Sequence, residues 1–264
     1  YKDVPQNRFT LAGQSFPENS AYDRLILDQQ LRYVGDAVCI IVGKTERSCI
    51  EAMRKIKVEY KIQEPVLDFT KAKDHPTRVH DKDGSFFETA QEIVGYDFDR
   101  NLTANFTRTF GEDIDEVFSQ CDHIIERAYE SQAQAHSMME TYRSYAYLDQ
   151  WDRLTVISST QVPFHIKRQL AIALGISPSR IRIIKPRVGG GFGGKQTSVT
   201  EIYATFVTLM TGKPSKIIYT RKETYESTNT RHKIKIKIKM GATKEGKIIA
   251  IDMNALSDQG AYGE

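Results

Sequence analysis

Residues 187–197 read RVGGGFGGKQT, with five glycines in the six positions 189–194 and a lysine directly after them. Each glycine weakens a helix or a strand, so a run this dense marks a place where the chain needs bare backbone: a tight turn, a close packing or a ligand. The flanks define what the run connects. Residues 180–188 (RIRIIKPRV) read as a strand. On the far side Val199, Ile202, Tyr203, Phe206 and Leu209 fall on one helical face that Gly212 and Pro214 end, and Ser198 and Glu201 have the spacing of a capping box. The loop therefore joins a strand to a helix.

Strand, glycine loop, lysine and helix in that order also describe nucleotide-binding loops. Gly189, Gly194 and Lys195 satisfy most of the phosphate-binding P-loop pattern, and residues 248–252 (IIAID) could imitate its second magnesium-binding strand. The chemistry disagrees. Gln196 follows the lysine where a hydroxyl must reach Mg²⁺, and the capping box starts the helix only after residue 198. Gly189, Gly191 and Gly194 match the G-x-G-x-x-G spacing of a dinucleotide turn. The next strand, 216–219, however, runs into Thr220 and Arg221 where an acidic residue should meet the ribose. A turn that packs without a ligand is the third reading, and isolated glycines would favour it.

The chain has 264 residues, room for one large domain or two ordinary ones of roughly 100–200 residues each, and two are expected. Apolar residues at 40% and charged residues at 27% are the balance of a globular chain that can bury a core. A net charge of +3 points to neither nucleic acid nor an anionic membrane, and no apolar run approaches the ~20 residues that span a bilayer. Cys39, Cys49 and Cys121 are odd in number and far apart, with no C-x-x-C pair. That argues against a disulfide framework or a cysteine zinc site and fits the cytoplasm. The sequons at Asn101 and Asn105 read as chance, since no signal peptide is recognisable. The chain begins without methionine and ends without a closing structural signal, so a piece of something longer is expected.

Residues 1–35 are polar and turn-rich. Residues 37–43 (AVCIIVG) then read as a short buried strand, Thr45 caps a helix with the stripe Cys49, Ile50, Met53 and Ile56, and residues 58–62 return as a strand. Residues 71–104 are rich in charge, Gly and Asp with weak periodicity, the character of an exposed linker, which places a domain boundary near residue 100. Beyond it, strands are expected at 122–132, 142–149 and 154–158. A helix follows that Pro163 starts, Ile166, Leu170, Ala173 and Leu174 anchor, and Gly175 caps in the left-handed conformation. Residues 232–240 alternate so that Ile234, Ile236 and Ile238 face one way and four lysines the other, a half-buried strand. Without interleaved aromatics its basic stripe reads as a solvated sheet face with no function of its own.

The stretch 158–196, SSTQVPFHIKRQLAIALGISPSRIRIIKPRVGGGFGGKQ, closely resembles the molybdenum-binding region of the molybdenum hydroxylases, the xanthine dehydrogenase and aldehyde oxidase family. MMETYRSYAY at 138–147 is similar to that family's Met-Glu-Pro segment, Thr230, Arg231 and His232 to its later TRH strand, and LRYVGDAVCIIVG at 31–43 to its a/b hammerhead domain. Most of the chain is covered. Thr141 stands where the family usually has proline, a departure that touches local loop geometry.

The resemblance implies an α+β fold: an a/b hammerhead-like domain at 1–80, truncated at its N-terminus, a linker at 81–104, and the first part of a mixed α+β molybdopterin-binding domain at 105–264. It implies a molybdenum–molybdopterin cofactor, with or without a nucleotide tail, that inserts water-derived oxygen into an electron-poor C–H of a purine, N-heterocycle or aldehyde. Electrons would pass to iron-sulfur clusters and FAD on partner domains or subunits of an oligomeric assembly. By resemblance Gln161 would hydrogen-bond an oxygen ligand of the metal. Phe192 would sit against the centre while Gly191 and Gly193 let backbone N–H groups approach, neither side chain bonding the metal itself. Gln196 stands where purine-oxidising members carry a substrate-binding glutamate. Lys195 and Glu140 are expected to be structural, and the general-base glutamate to lie beyond residue 264, so this chain alone is expected to be inactive. A P-loop-like nucleotide binder and a noncatalytic scaffold that keeps the family fold remain the alternatives.

Overall fold

The alternation of lysine and isoleucine after His232 makes the central strand of a sheet. The computed structural model, which describes residues 1–12, 18, 20–80 and 94–263, places β6 (Lys233–Ala242) between β1 (His123–Ser131) and β7 (Ile248–Asp258), antiparallel to both. Ile234, Ile236 and Ile238 are half-buried on one face, as the period of two requires. Lysines of the other face pair across the ladder, Lys233 with Glu130 at 2.8 Å and Lys237 with Glu126 at 3.1 Å. Such exposed pairs add little stability, but they occupy part of the basic stripe locally.

The second sheet runs β4 (Ile181–Ile184), β3 (Leu154–Ser158), β2 (Arg143–Leu148), β5 (Ser215–Ile218). Only the β3–β4 pair is parallel. A parallel pair needs a crossover, and α3 (Pro163–Leu174) supplies it. Pro163 opens that helix, and Gly175, at φ 67°, closes it in the left-handed conformation. Ile166, Leu170 and Ala173 pack with Ala146, Leu154, Val156 and Ile181 of the sheet and with Ile202 and Ala204 of α4 (Glu201–Thr211). Phe9, Leu11, Ile26 and Leu27 complete the same core, so the polar N-terminal stretch docks on this sheet across the expected domain division.

Three expectations are corrected. The helix capped by Thr45 forms as α1 (Glu46–Met53), but residues 37–43 and 58–62 find no pairing partner among the described residues, and Ile50, Met53 and Ile56 are exposed. An apolar run makes a strand only when another strand takes its N–H and C=O groups. The strand expected to reach residue 188 ends at Ile184, just before Pro186, which has no N–H to give a ladder. Residues 81–93 of the expected linker lie outside the described residues. The remainder is not wholly exposed: Tyr96 and Phe98 are buried with Ala21. Elsewhere a short α2 (Ile114–Ser119) precedes β1, and α5 (Arg221–Glu226) follows β5. No described helix is long and apolar enough to cross a membrane, and the three cysteines are free.

Candidate functional site

Between β4 and α4 the chain makes the glycine loop and one 3-10 turn, Gly194–Gln196. The glycines serve two purposes. Gly190, at φ 97°, and Gly193, at φ 93°, take up left-handed backbone that side chains disfavour. Gly189, Gly191 and Gly194 permit close approach. A Cβ on Gly189 would stand 2.7 Å from Glu140 Cβ, one on Gly194 would stand 2.8 Å from the His136 ring, and one on Gly191 would collide with the Gln161 amide. Phe192 between them also has positive φ, 51°, and is 74% exposed. Left-handed backbone costs a bulky residue roughly 1–2 kcal/mol. Burial does not offset that here, so Phe192 is not a core aromatic.

Two side chains hold the loop from either side. Gln161, just ahead of α3, accepts the N–H of Gly193 at 3.1 Å and of Lys195 at 3.3 Å on Oε1, while its own N–H donates to the Lys195 carbonyl at 2.8 Å. The two backbone donors decide which end of the amide is oxygen. Its NH₂ is then left with no protein acceptor among the described residues. On the other side Glu140 Oε2 accepts the Gly189 N–H at 2.7 Å, the Ser159 hydroxyl at 2.5 Å and the Lys195 ammonium at 2.9 Å. Lys195 is 1% exposed and donates also to Ser159 Oγ at 2.8 Å. Burial works against ionisation of Glu140, but the hydrogen bonds from Ser159, Lys195 and Gly189 outweigh it and hold the carboxyl down at about 2.

Further supports lie underneath. The Tyr142 hydroxyl donates to the Gly194 carbonyl at 2.6 Å, and Arg221 grips the carbonyls of Met138 and Met139, each at 2.7 Å. His136 packs against Gly194; burial lowers its pKa against the pull of the Asn229 carbonyl, so the ring is neutral at pH 7. At the crest, the N–H groups of Gly191 and Phe192 donate to no protein acceptor among the described residues. Unpaired donors of this kind, the Gln161 NH₂ among them, suit an electron-rich oxygen. No group of three His, Cys, Asp or Glu among the described residues could hold a metal ion directly. A donor set of this kind fits a metal that arrives inside a cofactor and is contacted through its oxygen ligands.

The structure thus brings Gln161, Gly191, Phe192 and Gly193 together from separate parts of the sequence, and half-buried Gln196 follows directly, its N–H on the Gly193 carbonyl at 3.3 Å. One detail differs from expectation: the Gly193 N–H is turned inward to Gln161, so the open donors are those of Gly191 and Phe192. The P-loop alternative fails on Lys195, whose ammonium is buried against Glu140 and Ser159 rather than offered to a phosphate. The capping box also does not form. Thr200 is the N-cap without a side-chain bond, and Glu201 instead accepts from Val199 N at 2.9 Å and from the Ser158 hydroxyl. Tyr142 and His136 carried no sequence signal as site residues, because each matters through a partner more than 30 residues away.

The profile of the molybdopterin cofactor-binding domain family matches residues 96–264. The chain is 34% identical to the probable hypoxanthine oxidase XdhD of Escherichia coli (strain K12), over 99% of this chain and 29% of that protein. It is 29% identical to the nicotinate dehydrogenase large molybdopterin subunit of Eubacterium barkeri, over 99% of this chain and 56% of the relative. Its fold matches the crystal structure of the aldehyde oxidoreductase from Desulfovibrio desulfuricans with a TM-score of 0.76 at 20% identity, over 96% of this chain and 27% of that one. The chain therefore spans less than two thirds of each of these relatives.

Proposed function

Because this chain belongs to the molybdopterin cofactor-binding domain family, we propose that it is part of the molybdenum-cofactor subunit of a xanthine dehydrogenase-like hydroxylase. When bound, such a cofactor supplies two-electron oxidation with water-derived oxygen at an electron-poor C–H of a purine, N-heterocycle or aldehyde. This chain's part is to hold and orient. The Gln161 NH₂ and the Gly191 and Phe192 N–H groups would donate to such a cofactor, fixed in advance by the loop so that little reorganisation is needed. The exposed Phe192 ring would pack against the cofactor, and Gln196 would meet substrate. An amide there can hydrogen-bond a heterocycle but cannot share a proton as a carboxylic acid would. The general-base glutamate is placed outside residues 1–264, and iron-sulfur and FAD centres on partner domains or subunits of a cytoplasmic assembly.

The observation that carries this reading is the Gln161 amide, whose carbonyl is spent on Gly193 and Lys195 so that only donors face away from the loop network. Molybdenum analysis of the full-length protein, with turnover on purines and aldehydes, is the test. A folded full-length protein that binds no molybdenum would leave the scaffold alternative standing.

The division into a hammerhead-like domain at 1–80, a connection at 81–104 and the molybdopterin-binding domain at 105–264 is part of the same proposal, with Phe9, Leu11, Ile26 and Leu27 docked on the second unit. Its support is the weak core-forming pattern of the connecting stretch. Limited proteolysis should cut first within 80–104. First stable cuts inside 30–62 or 162–210 would overturn the division.

A further inference from the structure

A loop with five glycines in six positions has much conformational freedom to lose, and the one side chain at its crest does not pin it, since Phe192 is 74% exposed. Gln161 and Tyr142 hold residues 193–195, and the start of the loop needs a tie of its own if the Gly191 and Phe192 N–H groups are to stay in one place. We propose that Glu140 is the positioning residue of the glycine loop: one carboxylate, set before β2, ties the loop's first residue, Gly189, to its last, Lys195, and keeps the crest donors in register.

The geometry supports this at both ends. Glu140 grips Gly189 twice, by its own N–H to the Gly189 carbonyl at 3.2 Å and by Oε2 from the Gly189 N–H at 2.7 Å. That approach is possible because position 189 has no Cβ. At the far end, the same Oε2 takes the Lys195 ammonium at 2.9 Å, and Ser159 bonds both partners, at 2.5 Å to Glu140 and 2.8 Å to Lys195. Arg143, 3.7 Å from Oε1, is the other cation at the carboxylate. Three donors converging on one oxygen demand an acceptor with no hydrogen of its own. A carboxylate meets that demand, whereas an amide would fail it at one contact or more if its NH₂ faced them. A lysine buried to 1% also cannot drift, because leaving the carboxylate would strand its charge without water. Glu140 touches no crest donor itself. It acts through the two ends of the loop.

The test is hydrogen exchange on the full-length protein, comparing wild type with Glu140→Gln and Lys195→Met. In Glu140→Gln, the bonded amides of Gly189 and of residues 193–196 should exchange about tenfold faster or more while those of α3 stay protected, the pattern of a local opening. In Lys195→Met, acceleration should appear at 193–196 with Gly189 still held. Unchanged exchange at Gly189 and at 193–196 in Glu140→Gln would overturn the proposal, as would acceleration spread evenly through α3 and β2–β4. Should Glu140→Gln not fold, unchanged exchange at 193–196 in Lys195→Met would overturn it equally. The effect on turnover rests on the cofactor reading: Glu140→Gln should lower kcat with KM nearly unchanged. Exchange at these protein-bonded amides can be compared without molybdenum, so a metal-free wild type would sink the functional reading and leave this comparison intact.

Discussion

Gln161 and Gly193, 32 residues apart, are joined by a 3.1 Å hydrogen bond in which the side-chain carbonyl accepts the loop N–H. This bond gives Gln161 two separable duties: an acceptor for the loop and a donor toward a ligand. Gln161→Ala should therefore lose both, costing about 1–3 kcal/mol for two abandoned N–H groups as well as activity. Gln161→Glu keeps the acceptor and removes the donor. We expect its unfolding free energy to stay within about 1 kcal/mol of wild type, while turnover of the full-length protein falls roughly 10²-fold. Equal turnover in Gln161→Glu would show that the NH₂ has no part in the chemistry.

Phe192 tests whether the strain at the crest serves function. Its ring is largely exposed and its φ of 51° disfavours any residue with a Cβ. Phe192→Gly relieves roughly 1–2 kcal/mol of backbone strain and gives back about 0.5–1 kcal/mol in unfolded-state entropy. Thermal unfolding should thus find the variant about as stable as wild type, although its activity drops. A loss of more than about 2 kcal/mol would mean the ring is packed after all, against the exposure seen.

Glu140 also predicts a pH dependence. Its carboxyl titrates at about 2 in the folded protein against an ordinary 4.5, so it contributes stability that is present above 4.5 and lost as pH falls toward 2. Glu201 has the opposite sign: burial raises its pKa, and its contribution is fullest in acid and lost as pH rises. Replacing Glu140 by Gln removes only the first effect. The stability gap between wild type and Glu140→Gln, measured by chemical denaturation, should be wide at pH 7 and narrow steadily below pH 4.5. A gap constant across that range would mean that the carboxylate is not ionised against Lys195.

The parts of the fold that could be read from sequence are those with local punctuation. Pro163 and Gly175 bound α3, the lysine–isoleucine alternation makes β6, and both occur where the pattern puts them. Phe9, Leu11, Ile26 and Leu27 have no common period, so nothing local revealed that they share one core. Residues 37–43 show the reverse: a convincing apolar run that has no strand to pair with among the described residues. At the site, the glycine motif and Gln161 were legible because their residue types carry the chemistry. The grip of Glu140 on Lys195 was not, since it is a tertiary contact across 55 positions. Competition explains the missing capping box as well: Glu201 bonds the Val199 N–H and the hydroxyl of Ser158, the latter a buried partner 43 positions away that a local motif cannot anticipate.

Molybdenum content separates what these residues hold by themselves from what they hold in company. The loop and Gln161 leave three donors without a protein acceptor among the described residues, the Gln161 NH₂ and the N–H groups of Gly191 and Phe192, while the Phe192 side chain remains 74% exposed. A cofactor site needs support all round, since first contacts are only as precise as the shell behind them. Residues 1–264 expressed alone should therefore fold around the α3–α4 core yet carry no stoichiometric molybdenum, whereas the full-length protein should carry it. Elemental analysis of both decides the matter. A loaded 264-residue chain would show that the donors at this loop, with the residues around them, are sufficient to retain the cofactor.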